Sequence, residues 1–103
     1  MSEKVIVIIE AEFNPNGMNT AEFSEYSRRS NANGEAHGGV VLSKYLIEQN
    51  LGNGDVPHLL LIIEYPSREQ AINTFSNEEY RSILPLRNVA FKAVKILLTK
   101  SNP

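Results

Sequence analysis

Cysteine is absent from this chain of 103 residues, histidine occurs only twice, and the apolar runs are short. Without cysteine the protein can form no disulfide, no thiolate metal site and no cysteine nucleophile. Two histidines supply too few nitrogen ligands for a dedicated transition-metal site, so we expect no bound metal. The first apolar run, residues 5–9, is too short for a secretory signal or a membrane helix. These absences predict a cytoplasmic protein without a membrane partner.

An excess of positive charge is also missing. The formal net charge is −2 at pH 7, and among the ten Lys and Arg residues only Arg28 and Arg29 are adjacent. Because nucleic-acid-binding domains usually carry a basic stripe, we expect no nucleic-acid partner. Hydrophobic residues make up 42% of the chain and charged residues 21%, which is typical of a globular protein. We therefore predict a single domain over residues 1–103, with a core of about 4–99.

The predicted elements follow the order strand, helix, strand, strand, helix, strand. Apolar and β-branched runs predict the strands, and capping boxes starting at Asn19 and Ser67 predict the two main helices. Pro85 disfavours helical geometry at Leu84, which should end a further short helix that starts at Asn77. We expect strands at 5–9, 40–47, 59–63 and 91–99, a hairpin-type connection at 50–55, and helices at 20–32, 67–75 and 77–83.

This order predicts an α+β fold, the ferredoxin-like βαββαβ sandwich. Helical connections follow the first and third strands, and right-handed crossovers then place the first strand beside the third. The result is a four-stranded antiparallel sheet with helices on one face.

The two central strands predict self-association. A sheet covered on one side normally alternates apolar and polar residues, but residues 5–9 and 59–63 are apolar throughout. Both faces of these strands are therefore apolar, whereas the helices suffice for one. An uncovered apolar face of several hundred Å² is normally an interaction site. We expect a homodimer through the open sheet face.

Several short segments resemble domain-of-unknown-function family thirteen-thirty, which belongs to the dimeric α/β-barrel superfamily. Phe23 and Tyr26 are similar to the paired aromatics of the family's first helix, and the match runs from Val5 to about Leu98. The other matching segments are AHGG at 36–39, IEYPS at 63–67, EQA at 69–71, SNEEY at 76–80 and PLR at 85–87.

The resemblance implies a homodimer whose two sheets pack face to face. It implies no activity, because the family has none assigned. Relatives in the wider superfamily include cofactor-free monooxygenases, haem-degrading enzymes and small isomerases, so the shared fold by itself does not select a reaction.

His37 is the candidate catalytic residue. A histidine titrates near neutral pH and can act as a general base, and Gly38 and Gly39 would let a ligand approach closely. The alternative is structural: His37 hydrogen-bonds locally while the two glycines form the turn into the second strand.

Glu64, Arg87 and Tyr80 are the other candidate ligand-binding residues. A buried carboxylate at the end of an apolar strand needs a partner, and Arg87 offers a bidentate one. The pair Glu64–Arg87 would be structural or would contact a ligand, with Tyr80 beside it as a core aromatic or a ligand contact.

Two functional hypotheses therefore remain open. The first is a cofactor-independent enzyme, similar to a monooxygenase or an isomerase, acting on a small organic molecule held between sheet and helices. The second is a non-catalytic ligand-binding or assembly protein. The chain contains no phosphate-binding glycine loop, nucleophile elbow or metalloprotease motif, so we expect no cofactor. A two-histidine site formed by His37 and His58 would lack the third ligand that metal sites usually have.

Overall fold

Four strands and four α-helices make up the described part of the chain, residues 3–100 of a computed structural model. The strands are β1 (Val5–Phe13), β2 (Val40–Leu46), β3 (Leu59–Tyr65) and β4 (Phe91–Leu98). The helices are α1 (Ala21–Ala36), α2 (Arg68–Ser76), α3 (Glu78–Ser82) and α4 (Leu84–Ala90), and a 3-10 turn at Gly17–Asn19 precedes α1. None of these helices is long and apolar enough to cross a membrane.

The strands form one antiparallel sheet in the order β2-β3-β1-β4. In the register of the sheet Ile8 lies opposite Ile62 of β3 on one side and opposite Leu97 of β4 on the other. This arrangement confirms the predicted ferredoxin-like α+β fold.

The first strand is longer than predicted. Beyond Ile9, alternate residues Ala11 and Phe13 continue on the side of the helices, while Glu10 and Glu12 point the other way. The run of consecutive apolar residues ends at Ile9, but the alternating pattern extends the strand to Phe13.

Helix α1 differs from its prediction at both ends. Its N-cap is Thr20 rather than Asn19, and the Thr20 hydroxyl accepts a hydrogen bond of 3.1 Å from the Phe23 amide. At the other end the helix continues four residues past Ala32, through the buried Asn33 and through Gly34. The Asn33 side-chain amide donates to the Thr74 carbonyl at 2.8 Å, which anchors this last turn.

The second helical region confirms most of the prediction and adds one helix. The side chain of Ser67 caps α2 and that of Asn77 caps α3. Helix α3 does end before Pro85, at Ser82, but the predicted non-helical Leu84 is wrong: Leu84 is the first residue of α4, which the sequence did not predict. Pro85 lies in the first turn of that helix, where a missing amide hydrogen costs no intrahelical bond.

The two faces of the sheet have different neighbours. Odd-numbered residues of β1 and β3, such as Val7 and Ile63, pack in a buried cluster with Ala71 of α2; we call this side the helix face. Because side chains alternate along a strand, the even-numbered residues lie on the opposite side. This open face includes Ile6, Ile8, Leu60, Ile62 and Glu64, each partly accessible in the protomer.

Candidate functional site

A cleft of about 440 Å³ lies on the helix face, between α1 and strands β1, β2 and β3. Its floor is apolar and consists of Ile9, Leu61 and Ile63. Phe75 of α2 forms one end, and Val41 of the edge strand β2 lies near the opening. The cleft therefore combines an apolar floor with one wall made by a single helix.

Small and polar residues of α1 leave the space for this cleft. Ser30, Asn31, Gly34 and Glu35 line it, and their spacings of three and four residues put them on one face of the helix. A β-carbon on Gly34 would lie 3.6 Å from the Tyr65 hydroxyl. The scarcity of large apolar side chains on α1 is thus the origin of the cavity.

The two glycines after His37 shape the end of the cleft. Gly38 has a φ of +81°, and a β-carbon there would lie 2.8 Å from the Pro66 ring. A β-carbon on Gly39 would lie 2.8 Å from the Tyr65 ring, and Gly39 itself lines the cleft. The sequence segments at 36–39 and 63–67 are therefore in direct contact.

His37 follows the last residue of α1 and does not line the cleft. Its Nδ1 is 2.8 Å from the carbonyl oxygen of Asn33. Because a carbonyl can only accept, Nδ1 carries the hydrogen and donates it, which leaves Nε2 of the neutral ring as the acceptor. The backbone fixes the tautomer that a general base acting through Nε2 requires.

A cluster of two phenols and a guanidinium lies behind α1, outside the cleft lining. The hydroxyls of Tyr26 and Tyr80 are 2.9 Å apart, and Arg87 Nη1 donates to the Tyr80 hydroxyl at 3.1 Å. The guanidinium carbon of Arg87 also lies 5.8 Å from the centre of the Tyr80 ring. Tyr80 and Arg87, both predicted as site residues, are thus brought together and joined by Tyr26.

Burial raises the pKa of two tyrosines, one behind α1 and one in the cleft wall. Desolvation, together with the neighbouring Tyr80, raises the pKa of Tyr26 far above its usual value. Burial also raises the pKa of Tyr65, which lines the cleft and is 1% exposed. At neutral pH both side chains are hydroxyls that can donate or accept a hydrogen bond.

The predicted ion pair between Glu64 and Arg87 is wrong. Glu64 is an even-numbered residue of β3 on the open face, where its Oε1 lies 3.6 Å from Lys4 Nζ. Arg87 lies on α4, on the other side of the sheet, and contacts Tyr80. The strand alternation that makes Ile63 and Tyr65 core residues turns Glu64 away from the helices.

The two histidines hydrogen-bond different backbone groups. His58 Nδ1 accepts a hydrogen bond of 2.9 Å from the Phe13 amide, at the end of the sheet opposite His37. His58 directly precedes β3, whereas Gly39, close to His37 in sequence, contacts Tyr65 at the far end of that strand. The seven residues of β3 span roughly 20 Å, so the two histidines lie at opposite ends of the strand. Among residues 3–100 no three His, Cys, Asp or Glu side chains group into a metal site.

Sequence reasoning missed most residues that line the cleft. Ser30, Asn31, Glu35, Thr74 and Tyr65 carry polar side-chain atoms, and none of them belongs to a known catalytic motif. The one available signal was the thin apolar face of α1, which indicated that this helix cannot fill the space above the sheet.

The fold and the cleft define a small ferredoxin-like α+β domain with a ligand-sized cavity between one helix and the sheet. The model of the family Domain of unknown function (DUF1330) matches residues 13–100, and the chain belongs to this family. This match confirms the family resemblance predicted from the sequence segments.

Solved structures show the same fold at low sequence identity. RPA0582 from Rhodopseudomonas palustris, a protein of unknown function, is 18% identical, with a TM-score of 0.80 over 100% of this chain and 85% of the other. SnoaB, a cofactor-independent oxygenase from Streptomyces nogalater, is 10% identical, with a TM-score of 0.66 over 99% and 96%.

A dimeric protein of unknown function with a ferredoxin-like fold, from Bacteroides fragilis, is also similar. It is 10% identical, with a TM-score of 0.60 over 94% of this chain and 95% of the other. Comparison with curated proteins gives no match. At these identities the structural likenesses establish the fold alone.

Proposed function

We propose that the protein is a cytoplasmic homodimer that binds a compact, mainly apolar organic molecule in the cleft beneath α1. The observation that supports this function is the cleft itself. Its volume of about 440 Å³ lies in the range usual for small-molecule sites, and an apolar floor with a few polar groups at the wall is the usual composition of such sites.

The dimer is proposed through the open face. Ile6, Ile8, Leu60 and Ile62 form its centre, and Leu97 of β4 and Tyr45 of β2 extend it to both edges with 41% and 54% exposure. Covering this surface with a second copy would remove the apolar groups of both protomers from water. The Bacteroides fragilis protein, which has the same fold, is described as dimeric.

Cofactor-independent catalysis in the same cleft is the second candidate function. It is favoured by the fixed tautomer of His37, whose Nε2 can accept a proton, and by the fold shared with the oxygenase SnoaB. His37 lies two residues before Gly39, which lines the cleft.

Ligand binding is tested by native mass spectrometry of the protein purified without a tag. We expect a small molecule to be retained, and we expect Val41→Trp to abolish its retention because an indole at this position would fill the cleft. Leu42→Trp is the matched control: Leu42 is the next residue, both side chains are 52% exposed, and only Val41 lines the cleft. Equal retention by both variants would contradict the cleft as the site.

Catalysis is tested with the molecule identified in that way. If His37 is the general base, His37→Ala should lower turnover by at least about 100-fold while the ligand still binds. Unchanged turnover in His37→Ala, or no turnover by the wild type, would leave ligand binding as the function.

A further inference from the structure

Asparagine followed by glycine occurs three times in the chain, at 16–17, 33–34 and 53–54. This dipeptide is chemically labile, because the amide nitrogen of the glycine can attack the side-chain carbonyl carbon of the asparagine, and glycine has no β-carbon to obstruct the approach. The attack needs an asparagine side chain that is free to turn and a glycine nitrogen that is not hydrogen-bonded. Because the three sites have the same two residues, their surroundings in the fold decide which of them reacts.

Asn33 is held in place inside α1. It is 6% exposed, its side-chain nitrogen donates to the Thr74 carbonyl at 2.8 Å, and its side-chain oxygen accepts from the Asn77 side chain at 2.8 Å. Gly34 is also part of the helix, where its amide belongs to the helical hydrogen-bond pattern. Reaction at Asn33 therefore requires local unfolding of α1.

Asn16 is exposed, but the glycine that follows it is not. The Gly17 amide donates to the Asn14 carbonyl at 2.8 Å, and Gly17 is buried in the 3-10 turn before α1. A β-carbon on Gly17 would collide with the Ala90 carbonyl, which shows how closely the end of α4 packs against this residue. The attacking nitrogen of this site is therefore both hydrogen-bonded and enclosed.

Asn53 lies in the exposed loop between β2 and β3 and has neither restraint. Among residues 3–100 neither its side chain nor the Gly54 amide forms a hydrogen bond. Gly54 has a φ of +100°, and beyond its chain neighbours no atom lies within 4 Å of the place where a β-carbon would be. The loop is held through carbonyls instead: the Asn50 side chain donates to those of Asn53 and Gly54, at 3.2 and 3.1 Å. These bonds leave the Gly54 nitrogen free.

We propose that Asn53 is a site of spontaneous deamidation to aspartate or isoaspartate, and that Asn16 and Asn33 are protected in the folded protein. The Gly54 nitrogen forms a bond to the side-chain carbonyl carbon of Asn53. Its hydrogen leaves with the side-chain nitrogen as ammonia, and a cyclic succinimide remains. Water then opens this ring at either of its carbonyl carbons. The reaction needs no oxidant or reductant, and the inference is independent of the ligand-binding function proposed for the cleft.

Deamidation would change the charge beside the open face. Each event adds a negative charge to a chain whose formal net charge is −2. Asp55, two residues further on, lines a recess on the open face with Glu10, Glu12 and Lys95, in which the carboxylates outnumber the amine. A carboxylate at position 53 would add to this negative charge from the adjoining loop. Isoaspartate would in addition lengthen the backbone of the loop, because the chain then runs through the former side chain.

The proposal is tested by incubating the full chain at neutral pH for several weeks, followed by trypsin digestion and tandem mass spectrometry. Cleavage after Lys and Arg places the three sites in three different peptides, 5–28, 30–44 and 45–68. Each deamidation replaces an amide by an acid of slightly greater mass, and the fragment ions identify the residue. A short digestion at mildly acidic pH limits conversion during handling. Circular dichroism verifies that the protein stays folded throughout the incubation.

In the folded protein we expect Asn53 to convert at least about 10-fold faster than Asn16 or Asn33, because reaction at either of those requires an open state with a small population. In guanidinium chloride the three sites should convert at similar rates, since the unfolded chain exposes the same dipeptide at each. Asn50 is an internal control on the same peptide as Asn53. It is followed by Leu51, whose side chain obstructs the attack, so it should convert much more slowly in both states.

Asn53→Gln is the matched variant, because glutamine keeps the amide but would have to close a larger ring, which is slower. Its peptide 45–68 should keep its mass during the incubation, while peptides 5–28 and 30–44 behave as in the wild type. An Asn53 that stays intact in the folded wild type would overturn the proposal. Conversion of Asn53 no faster than that of Asn16 or Asn33 in the folded protein would overturn it as well.

Discussion

The two faces of the central strands have similar apolar composition and different surroundings. On the helix face Val7 is 1% exposed and belongs to a buried cluster, whereas its neighbour Ile8 lies on the open face and is only partly buried. Residues adjacent in sequence are thus core on one side and surface on the other. A single protomer buries the apolar residues of one face and leaves those of the other partly accessible.

The faces also differ in how completely they are filled. The helix face carries a cleft where α1 has small residues, while the open face is mainly apolar between Glu10 and Glu64 of the central strands. A concave apolar site suits a small molecule, and an extended apolar surface suits another protein surface. We therefore propose ligand binding on the helix face and self-association through the open face.

The strongest test of this difference is a charge on the helix face. Val7→Asp places an unpaired carboxylate in the buried cluster, at a cost of several kcal/mol against a total stability that is typically about 5–15 kcal/mol. We expect loss of the folded state, measured by far-ultraviolet circular dichroism and by the dispersion of the amide NMR spectrum.

The same substitution one residue later should give a different result. Ile8→Asp places the carboxylate on the open face, where water can solvate it in the protomer. We expect a folded monomer of 11.5 kDa in sedimentation at micromolar concentration, against twice that mass for the wild type. A monomeric wild type would contradict the open face as a dimer interface. An unfolded Ile8→Asp would contradict the difference in burial between the two faces.

A smaller effect is expected at the end of the cleft. Gly39→Ala would bring a β-carbon within 2.8 Å of the Tyr65 ring and 3.0 Å of the Gly34 carbonyl, and overpacking of this kind costs about 1–3 kcal/mol. Gly52→Ala is the control, since its nearest atom would lie at 3.5 Å in an exposed loop. The free energies of unfolding come from urea titrations; equal values for the two variants would contradict the packing of Gly39 on Tyr65.

The smallest effect concerns two residues on opposite sides of the sheet. A double-mutant cycle with Glu64→Gln and Arg87→Met should give a coupling energy below about 0.5 kcal/mol, as expected of independent sites. Glu64→Gln alone should cost at most about 1 kcal/mol, because its partner Lys4 is exposed. A coupling energy of several kcal/mol in the same urea titrations would show that Glu64 and Arg87 do form an ion pair, which would contradict their placement on opposite sides of the sheet.

The sequence was sufficient for the fold because its signals are local. Short β-branched runs, the caps at Ser67 and Asn77, and Pro85 each act within a few residues, and the order of elements then leaves few topologies. The apolar character of both faces of the central strands was equally evident from the sequence. Helix α4 was missed because the same proline that ends one helix also suits the first turn of the next.

The site was less predictable because its contacts are long-range. Glu64 and Arg87 were complementary in charge, but the pairing depended on which face of β3 carries Glu64, and an unbroken apolar run does not reveal the face. Tyr26, Tyr80 and Arg87 meet only after α1 packs against α3 and α4. The cleft arises from missing volume on α1, which no sequence motif records.

Methyl NMR of isoleucine-labelled protein, titrated with 6-propionyl-2-(dimethylamino)naphthalene, tests the division of the two faces most directly. Ile9 and Ile63 line the cleft, whereas Ile8 and Ile62 are their neighbours in sequence on the open face. The account predicts that the methyl signals of Ile9 and Ile63 shift while those of Ile8 and Ile62 remain in place. Shifts confined to Ile8 and Ile62 would place the ligand on the open face and contradict the account.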